Sequence, residues 1–422
     1  MRENLRVIVF SWEYPPLSVG GLAQHVFDLT IAMAKQGDDI HVITRGNPGM
    51  PEYERVKGVH VYRVNPFRVS STDFVTWVMQ LNMAMIERAI PLMGKLGQVD
   101  IVHAHDWLVA YAAKVCKHAY KIPLIATIHA TEWGRHNGLH NDVQRHISDI
   151  EWWLTYESWR VICCSHYMQG QLKHIFQLPD DKLKIIPNGV DPENFKYDPR
   201  ASALVKREHY ASQEEKIVYY VGRLVPEKGV QVLLEAIPKI LHYHPNTKFV
   251  IAGKGSFEGE LKYKAACLGV DNRVYFTGYV NDVTRNCLYH YADVAVFPSL
   301  YEPFGIVALE AMAARTPVVV SDTGGLGEII HHGVNGMKAY TGNANSLADS
   351  ILHCLLDPDS ARKMQERAYR DVIEKYNWES IARETKKVYQ EVIEADQRAP
   401  WKNQQEKGKL LGRVVRLAAH YQ

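Results

Sequence analysis

No stretch of this chain approaches 18 consecutive apolar residues, so a membrane-spanning helix is not expected. The N-terminus enters a strand pattern almost at once, from Leu5 to Phe10, without the apolar core of a leader peptide. Cysteine is scarce. The six residues Cys116, Cys163, Cys164, Cys267, Cys287 and Cys354 show no C-x-x-C spacing and lie mostly in apolar contexts. That usage argues against a disulfide scaffold and for buried, reduced thiols in a cytoplasmic protein. The vicinal Cys163-Cys164 pair sits inside a strand pattern and reads as packing. An excess of one charge is missing as well: the formal net charge is +2, which gives no reason to expect a nucleic-acid partner.

What the chain does have is length and a regular alternation of elements. Its 422 residues exceed one typical core, and 46% hydrophobic with 23% charged residues is ordinary for a globular protein. Short apolar runs alternate with amphipathic stretches. One series of expected strands runs Arg6–Phe10, Asp39–Thr44, Val59–Val64, Ile101–Ala104, Leu124–Thr127, Val161–Cys164 and Leu183–Ile186. A second runs Lys216–Val221, Lys248–Ala252, Val274–Thr277, Val294–Phe297 and Val318–Ser321. Continuous apolar runs suit strands covered on both faces, and strand–helix alternation points to parallel, doubly wound sheets. We therefore expect an α/β chain of two Rossmann-like domains, residues 1–190 and 191–376, with the turn-rich Pro187-Asn188-Gly189-Val190-Asp191-Pro192 between them. In residues 377–422, a helix over Trp378 to Ile393 is expected to pack back on the first domain. The basic tail from Arg398 to Gln422 reads as a frayed terminus, with weak membrane-surface contact through a short amphipathic helix as the sharper alternative.

The chemistry concentrates at expected strand ends, where doubly wound sheets bind ligands. Tyr301-Glu302-Pro303-Phe304-Gly305-Ile306-Val307-Ala308-Leu309-Glu310 follows an expected strand and opens a helix. The amides of Gly305 and Ile306 begin that helix, lack intrahelical partners and sit at its positive end, which suits a phosphate. Glu302 and Glu310 flank them and suit sugar hydroxyls. Paired glycines, Gly20-Gly21, follow the first strand and allow close backbone approach to a ligand. Tyr220-Val221-Gly222-Arg223 and Glu227-Lys228-Gly229 put two cations where a diphosphate could be neutralised. The run His103-Ala104-His105-Asp106 could hint at a metal, but no distant ligand set stands out beside it.

The eight-residue spacing of Glu302 and Glu310, taken with these ordered blocks, resembles the E-x7-E signature of retaining glycosyltransferases of GT-B fold. It is most similar to family 4, close to the glycogen-synthase branch, from about residue 5 to about residue 395. Glycogen synthases proper usually carry a lysine two residues before the glycine pair and an acidic residue three after it; this chain has Ser18 and Gln24, which favours the broader family 4. The resemblance implies two domains facing across a deep cleft and a nucleotide-sugar donor, ADP- or UDP-glucose foremost. It also implies a carbohydrate acceptor such as an α-glucan, with no cofactor and no metal ion. By the same resemblance, Arg223 and Lys228 hold the leaving diphosphate, Glu302 the hexose hydroxyls and Glu310 the ribose, while His129, at the end of the fifth strand, stands beside the reacting sugar. Gly20, Gly21, Gly253, Tyr279, Gly305 and Ile306 fall on the donor side. Asp106, Trp133 and Arg135 fall on the acceptor side, and Trp152, Trp153 and Trp159 are expected to bury between helices. Three alternatives remain: a GDP-mannose-dependent mannosyltransferase with a lipid or small acceptor, a sugar-phosphate or sucrose-type synthase, and a non-catalytic sugar-nucleotide-binding module.

Overall fold

The structure is a computed structural model that describes residues 4–18, 20–66 and 73–399. The basic tail beyond residue 399 lies outside the described residues.

The first sheet contains β1 (Arg6–Phe10), β2 (Asp39–Arg45), β3 (Tyr53–Val56), β4 (Val59–Val64), β5 (Ile101–His105), β6 (Leu124–Ile128), β7 (Arg160–Cys163) and β8 (Leu183–Ile185). The second contains β9 (Lys216–Val221), β10 (Thr247–Ala252), β11 (Val274–Gly278), β12 (Val294–Phe297), β13 (Val318–Ser321) and β14 (Met337–Ala339). Their orders are β3-β4-β2-β1-β5-β6-β7-β8 and β11-β10-β9-β12-β13-β14. The central strands are apolar and, apart from half-buried Arg6 at the start of β1, buried along their length, as parallel strands covered by helices must be. This is the expected pair of doubly wound sheets.

Two strands escaped the sequence reading. β3 is an antiparallel edge strand turning into β4 through Lys57-Gly58, with Tyr53 opposite Tyr62. Its residues alternate exposed and half-buried, so it lacks the apolar run on which the other strands were recognised. β14 is three residues long and too short to carry a pattern.

The order of each sheet reverses once at its middle. In the first sheet β1 lies between β2 and β5; in the second β9 lies between β10 and β12. Loops leaving neighbouring strands at such a point diverge and leave a crevice between them. The loops after β1, β5 and β6 carry Gly20-Gly21, Asp106 and His129, and those after β9 and β12 carry Arg223, Lys228, Glu302 and Gly305.

The two crevices meet. The Ser165 hydroxyl donates to the Pro303 carbonyl (2.7 Å), and the Tyr301 hydroxyl donates to Gln171 Oε1 (3.0 Å). The Glu328 carboxylate accepts from the amides of His166 (3.0 Å) and Tyr167 (2.7 Å), at the start of the helix His166–Phe176. The chain passes between the sheets twice at one place. Val190 N–H donates to the Tyr376 carbonyl (2.9 Å), and Gly189 is pressed so close to Tyr376 and Trp378 that a Cβ there would lie 2.8 Å from that carbonyl oxygen. The helix Trp378–Gln397 then lies on the first sheet's helix Gly21–Lys35. Its Tyr389 hydroxyl meets His103 Nδ1 (2.6 Å), and its Lys386 pairs with buried Asp38 (2.7 Å).

Candidate active site

On the second-sheet side, Lys228 Nζ lies 2.6 Å from Glu302 Oε2, and Ser299 donates to the same oxygen at 3.3 Å. The pair is largely buried: Glu302 is 8% exposed. Arg223 is exposed beside it, its guanidinium 3.6 Å from Glu227. Gly305 caps the helix Ile306–Ala313 with φ 108°, a conformation that favours glycine, and the Leu326 side chain fills the space a Cβ would need. Glu310, just over one turn into that helix, is also 8% exposed; it accepts from the Tyr289 hydroxyl (3.0 Å) and stands 3.8 Å from Arg285 Nε. Neither glutamate is a solvated surface carboxylate. Gly253 has φ 134°, and a Cβ there would collide with the Gly222 carbonyl, so the loops after β9 and β10 touch through backbone. Tyr279 is 73% exposed at the end of β11, a free ring face beyond the strand ends.

On the first-sheet side, Gly20 is the exposed N-cap of the helix Gly21–Lys35, and a Cβ on Gly21 would come within 3.0 Å of Ile306 Cδ1. The glycine pair therefore abuts the helix start that carries Gly305 and Ile306. Gln24 Nε2 donates to Asp28 Oδ2 (2.7 Å). Burial first, and the nearby charges of Asp191 and Glu310 with it, push the Asp28 carboxyl up to about 6. An acidic group thus does face Glu310 from this helix, one turn beyond Gln24.

Asp106 is buried, with the unusual φ of 60° for a non-glycine residue, and its Oδ1 accepts from the His129 amide (2.7 Å). Burial pushes its pKa up to about 6, against the pull of Arg135 and the amides of His129 and Ala130. Glu151, also buried, accepts from the Glu132 amide (2.9 Å), at the first residue of the short helix Glu132–His136 that carries half-buried Trp133 and exposed Arg135.

His129, expected at the end of the fifth strand, stands there among other histidines. Its Nε2 lies 3.1 Å from His105 Nδ1, and His25 packs edge-on against it with ring centroids 4.7 Å apart. His25 Nδ1 donates to Asn188 Oδ1 (2.7 Å) in the crossing between the sheets. Burial, then Arg135, holds His129 down at about 3, and burial holds His25, His103 and His105 well below the ordinary imidazole value. All four rings are neutral at pH 7. The distant partners of His105 that the sequence did not reveal are His25 and His129.

The structure brings together Gly20, Gly21, Asp106 and His129 on one side and Arg223, Lys228, Glu302, Gly305, Ile306 and Glu310 on the other. Trp133 leans away toward His174, at a ring distance of 6.1 Å. Trp152 corrects the expectation of burial: it is 46% exposed and stacks on Tyr156, because it sits on the outer face of the helix Asp142–Glu157. Sequence reasoning also missed His25, Asn188, Tyr289, Arg285 and Asp28. A signal existed for His25 alone, a polar residue inside the apolar helical stripe Leu22, Val26, Leu29 and Met33.

Known proteins resemble this chain along most of its length. The family described as Glycosyltransferase Family 4 matches residues 19–194, and that described as Glycosyl transferases group 1 matches residues 203–371. An uncharacterized glycosyltransferase of Methanocaldococcus jannaschii is 42% identical over 392 residues, 92% of this chain and 99% of that one. The glycogen synthase of Mycobacterium tuberculosis is 35% identical over 400 residues, 91% and 94% of the two chains. Among solved structures, sucrose-phosphate synthase from Thermosynechococcus elongatus superposes with a TM-score of 0.80 at 23% identity, covering 93% of this chain and all of that one.

Proposed function

This chain belongs to glycosyltransferase family 4, with the GT-B fold, and from that membership we propose that it is a retaining, metal-independent hexosyltransferase that moves glucose from ADP- or UDP-glucose to an α-glucan. The observation that carries the reading is the buried Lys228–Glu302 pair beside the helix start at Gly305, against which Gly21 abuts. A cation and two free amides suit a departing diphosphate. Glu302, released from Lys228 when that diphosphate binds, suits the hydroxyls of the hexose. Glu310, fixed by Tyr289, suits the ribose. The His129 backbone, pinned by Asp106, and its neutral ring suit the face of a sugar developing positive charge, which a protonated ring would repel. The 35% identity to a glycogen synthase supports a glucan acceptor.

One observation favours a second reading. Arg135 is exposed on the acceptor side and close enough to act on both Asp106 and Tyr301. A guanidinium there suits a phosphorylated small acceptor. Both readings are tested by offering ADP-glucose, UDP-glucose and GDP-mannose with maltooligosaccharides or with a sugar phosphate, using Glu302→Ala as control. Chain elongation from a glucose donor, lost in the control, is the expected result. Turnover only with GDP-mannose, or only with the sugar phosphate, overturns the glucan assignment. Binding without turnover of any donor leaves a non-catalytic nucleotide-sugar-binding protein.

A further inference from the structure

The amino ends of β2 and β4 lie at the opposite end of the first sheet from the cleft, and a second cluster of donor atoms gathers there. Asp39 and His41 are two residues apart on β2, so they share one face of the sheet. His60, on β4, is the registered neighbour of His41. The two imidazoles stack, with centroids 4.7 Å apart and planes at 12°. Asp39 Oδ1 lies 2.9 Å from His41 Nε2 and 3.9 Å from His60 Nε2. One donor atom from each residue falls within 4.8 Å of the others.

Asp39 Oδ1 is the carboxylate oxygen nearest to both rings. His41 Nε2 is buried and makes no hydrogen bond among the described residues, although the carboxylate oxygen is only 2.9 Å away. Two ligands of one tetrahedral cation, each about 2.0–2.1 Å from it, stand about 3.4 Å apart. The two observed separations bracket that value.

The surroundings match what such ligands need. His41 Nδ1 meets the Tyr62 hydroxyl at 3.2 Å and His60 Nδ1 meets the Tyr53 hydroxyl at 2.9 Å, so each ring is oriented through its inner nitrogen and leaves Nε2 to bind. Asp39 Oδ2 accepts from Arg6 Nε (2.7 Å), which fixes the carboxylate and leaves Oδ1. Burial holds His41 down at about 4 and His60 below its ordinary value, so both rings are neutral ligands at pH 7. Arg6, and Arg55 opposite His60, oppose a cation and set a limit on affinity. The geometry points to a site for a first-row divalent cation, Zn2+ for choice, bound by Asp39 Oδ1, His41 Nε2 and His60 Nε2. It would staple β4, and through it the edge strand β3, to β2. The site lies away from the proposed sugar chemistry and does not depend on that reading.

The test is metal titration of the full chain after stripping with chelator and dialysis. Zn2+ uptake is measured by calorimetry, and Co2+ uptake by its visible absorption, which reports tetrahedral coordination. We expect one equivalent in the wild type and a rise of the unfolding midpoint with Zn2+. His60→Gln and Asp39→Asn should remove both, and Tyr53→Phe, an exposed change that spares the fold, should weaken binding about tenfold. His105→Gln should keep the equivalent. No uptake by the wild type overturns the proposal, as does uptake unchanged in His60→Gln. Uptake lost in His105→Gln but kept in His60→Gln overturns it too, by moving the metal to the cleft histidines.

Discussion

Lys228 Nζ and Glu302 Oε2 stand 2.6 Å apart, one from the loop after β9 and one from the loop after β12, with side chains 20% and 10% exposed. In the free protein each neutralises the other at the mouth of the helix Ile306–Ala313. On the proposed reading, a diphosphate arriving at that helix start would compete for Lys228 and release the Glu302 carboxylate toward the sugar. Pairing and the proposed catalysis would then draw on the same two charges. Lys228→Ala should lower kcat by about 10²–10³, the usual loss for one group that stabilises developing charge. It should also leave Glu302 buried without its partner. Steady-state kinetics decide the matter: a variant within threefold of wild type would remove Lys228 from the leaving-group site.

Glu310 is oriented rather than merely present. Tyr289→Phe deletes the 3.0 Å hydrogen bond to its carboxylate while preserving the buried ring. A hydrogen bond to a charged group contributes about 1.5–3 kcal/mol, so KM for the donor should rise about tenfold or more with kcat little changed, the pattern of binding lost equally from ground and transition states. An equal fall in kcat with constant KM would place Glu310 in the chemical step instead.

On the proposed reading, Asp106 should give the activity an acid limb. Its carboxylate accepts from the His129 amide, and burial raises its pKa to about 6. As pH falls through that value the carboxylate is protonated and its grip on the His129 amide weakens, so kcat/KM should drop below about pH 6. Asp106→Asn keeps an acceptor oxygen but cannot titrate; its lower activity should be flat from pH 5 to 7. A pH profile for this variant that still bends near 6 assigns the limb elsewhere.

Much of this was legible in the chain because it is local. Among the described residues, apolar runs marked twelve of the fourteen strands, and the glycines, cations and glutamates at strand ends marked the candidate site. What stayed hidden depends on distance in sequence. Asn188 meets His25 across 163 positions, and Tyr389 meets His103 across 286. No spacing rule connects such pairs; only the return of the chain past Gly189 and Tyr376 does. Arg285 and Tyr289 were unread for the same reason, sitting on an ordinary amphipathic helix, Asp282–Tyr291, whose inner face happens to reach Glu310. The exposed Trp152 shows the converse error, an aromatic assigned to the core by type when its helix turns it outward.

The buried histidines make the first domain sensitive to acid, with a sign that can be worked out. Each of His25, His103, His105 and His129 has its folded pKa below the unfolded value of about 6.5, and His129 reaches about 3. Between those values only the unfolded chain binds the proton. Their contribution to stability is therefore complete above about pH 6.5 and is lost as pH falls, at up to about 1.4 kcal/mol per pH unit for each group. Asp28 and Asp106, raised to about 6, run the other way: the folded state binds their protons first, so their contribution declines as pH rises through that range. The two sets partly cancel in the wild type, and a substitution is needed to separate them. His105→Gln removes one titrating ring beside His129. It should lower stability at pH 7 and flatten the loss between pH 6.5 and 4.5, so that variant and wild type converge on acidification. Denaturant midpoints at pH 7, 6 and 5 test this, and parallel curves would mean that His105 titrates alike in the folded and unfolded chain.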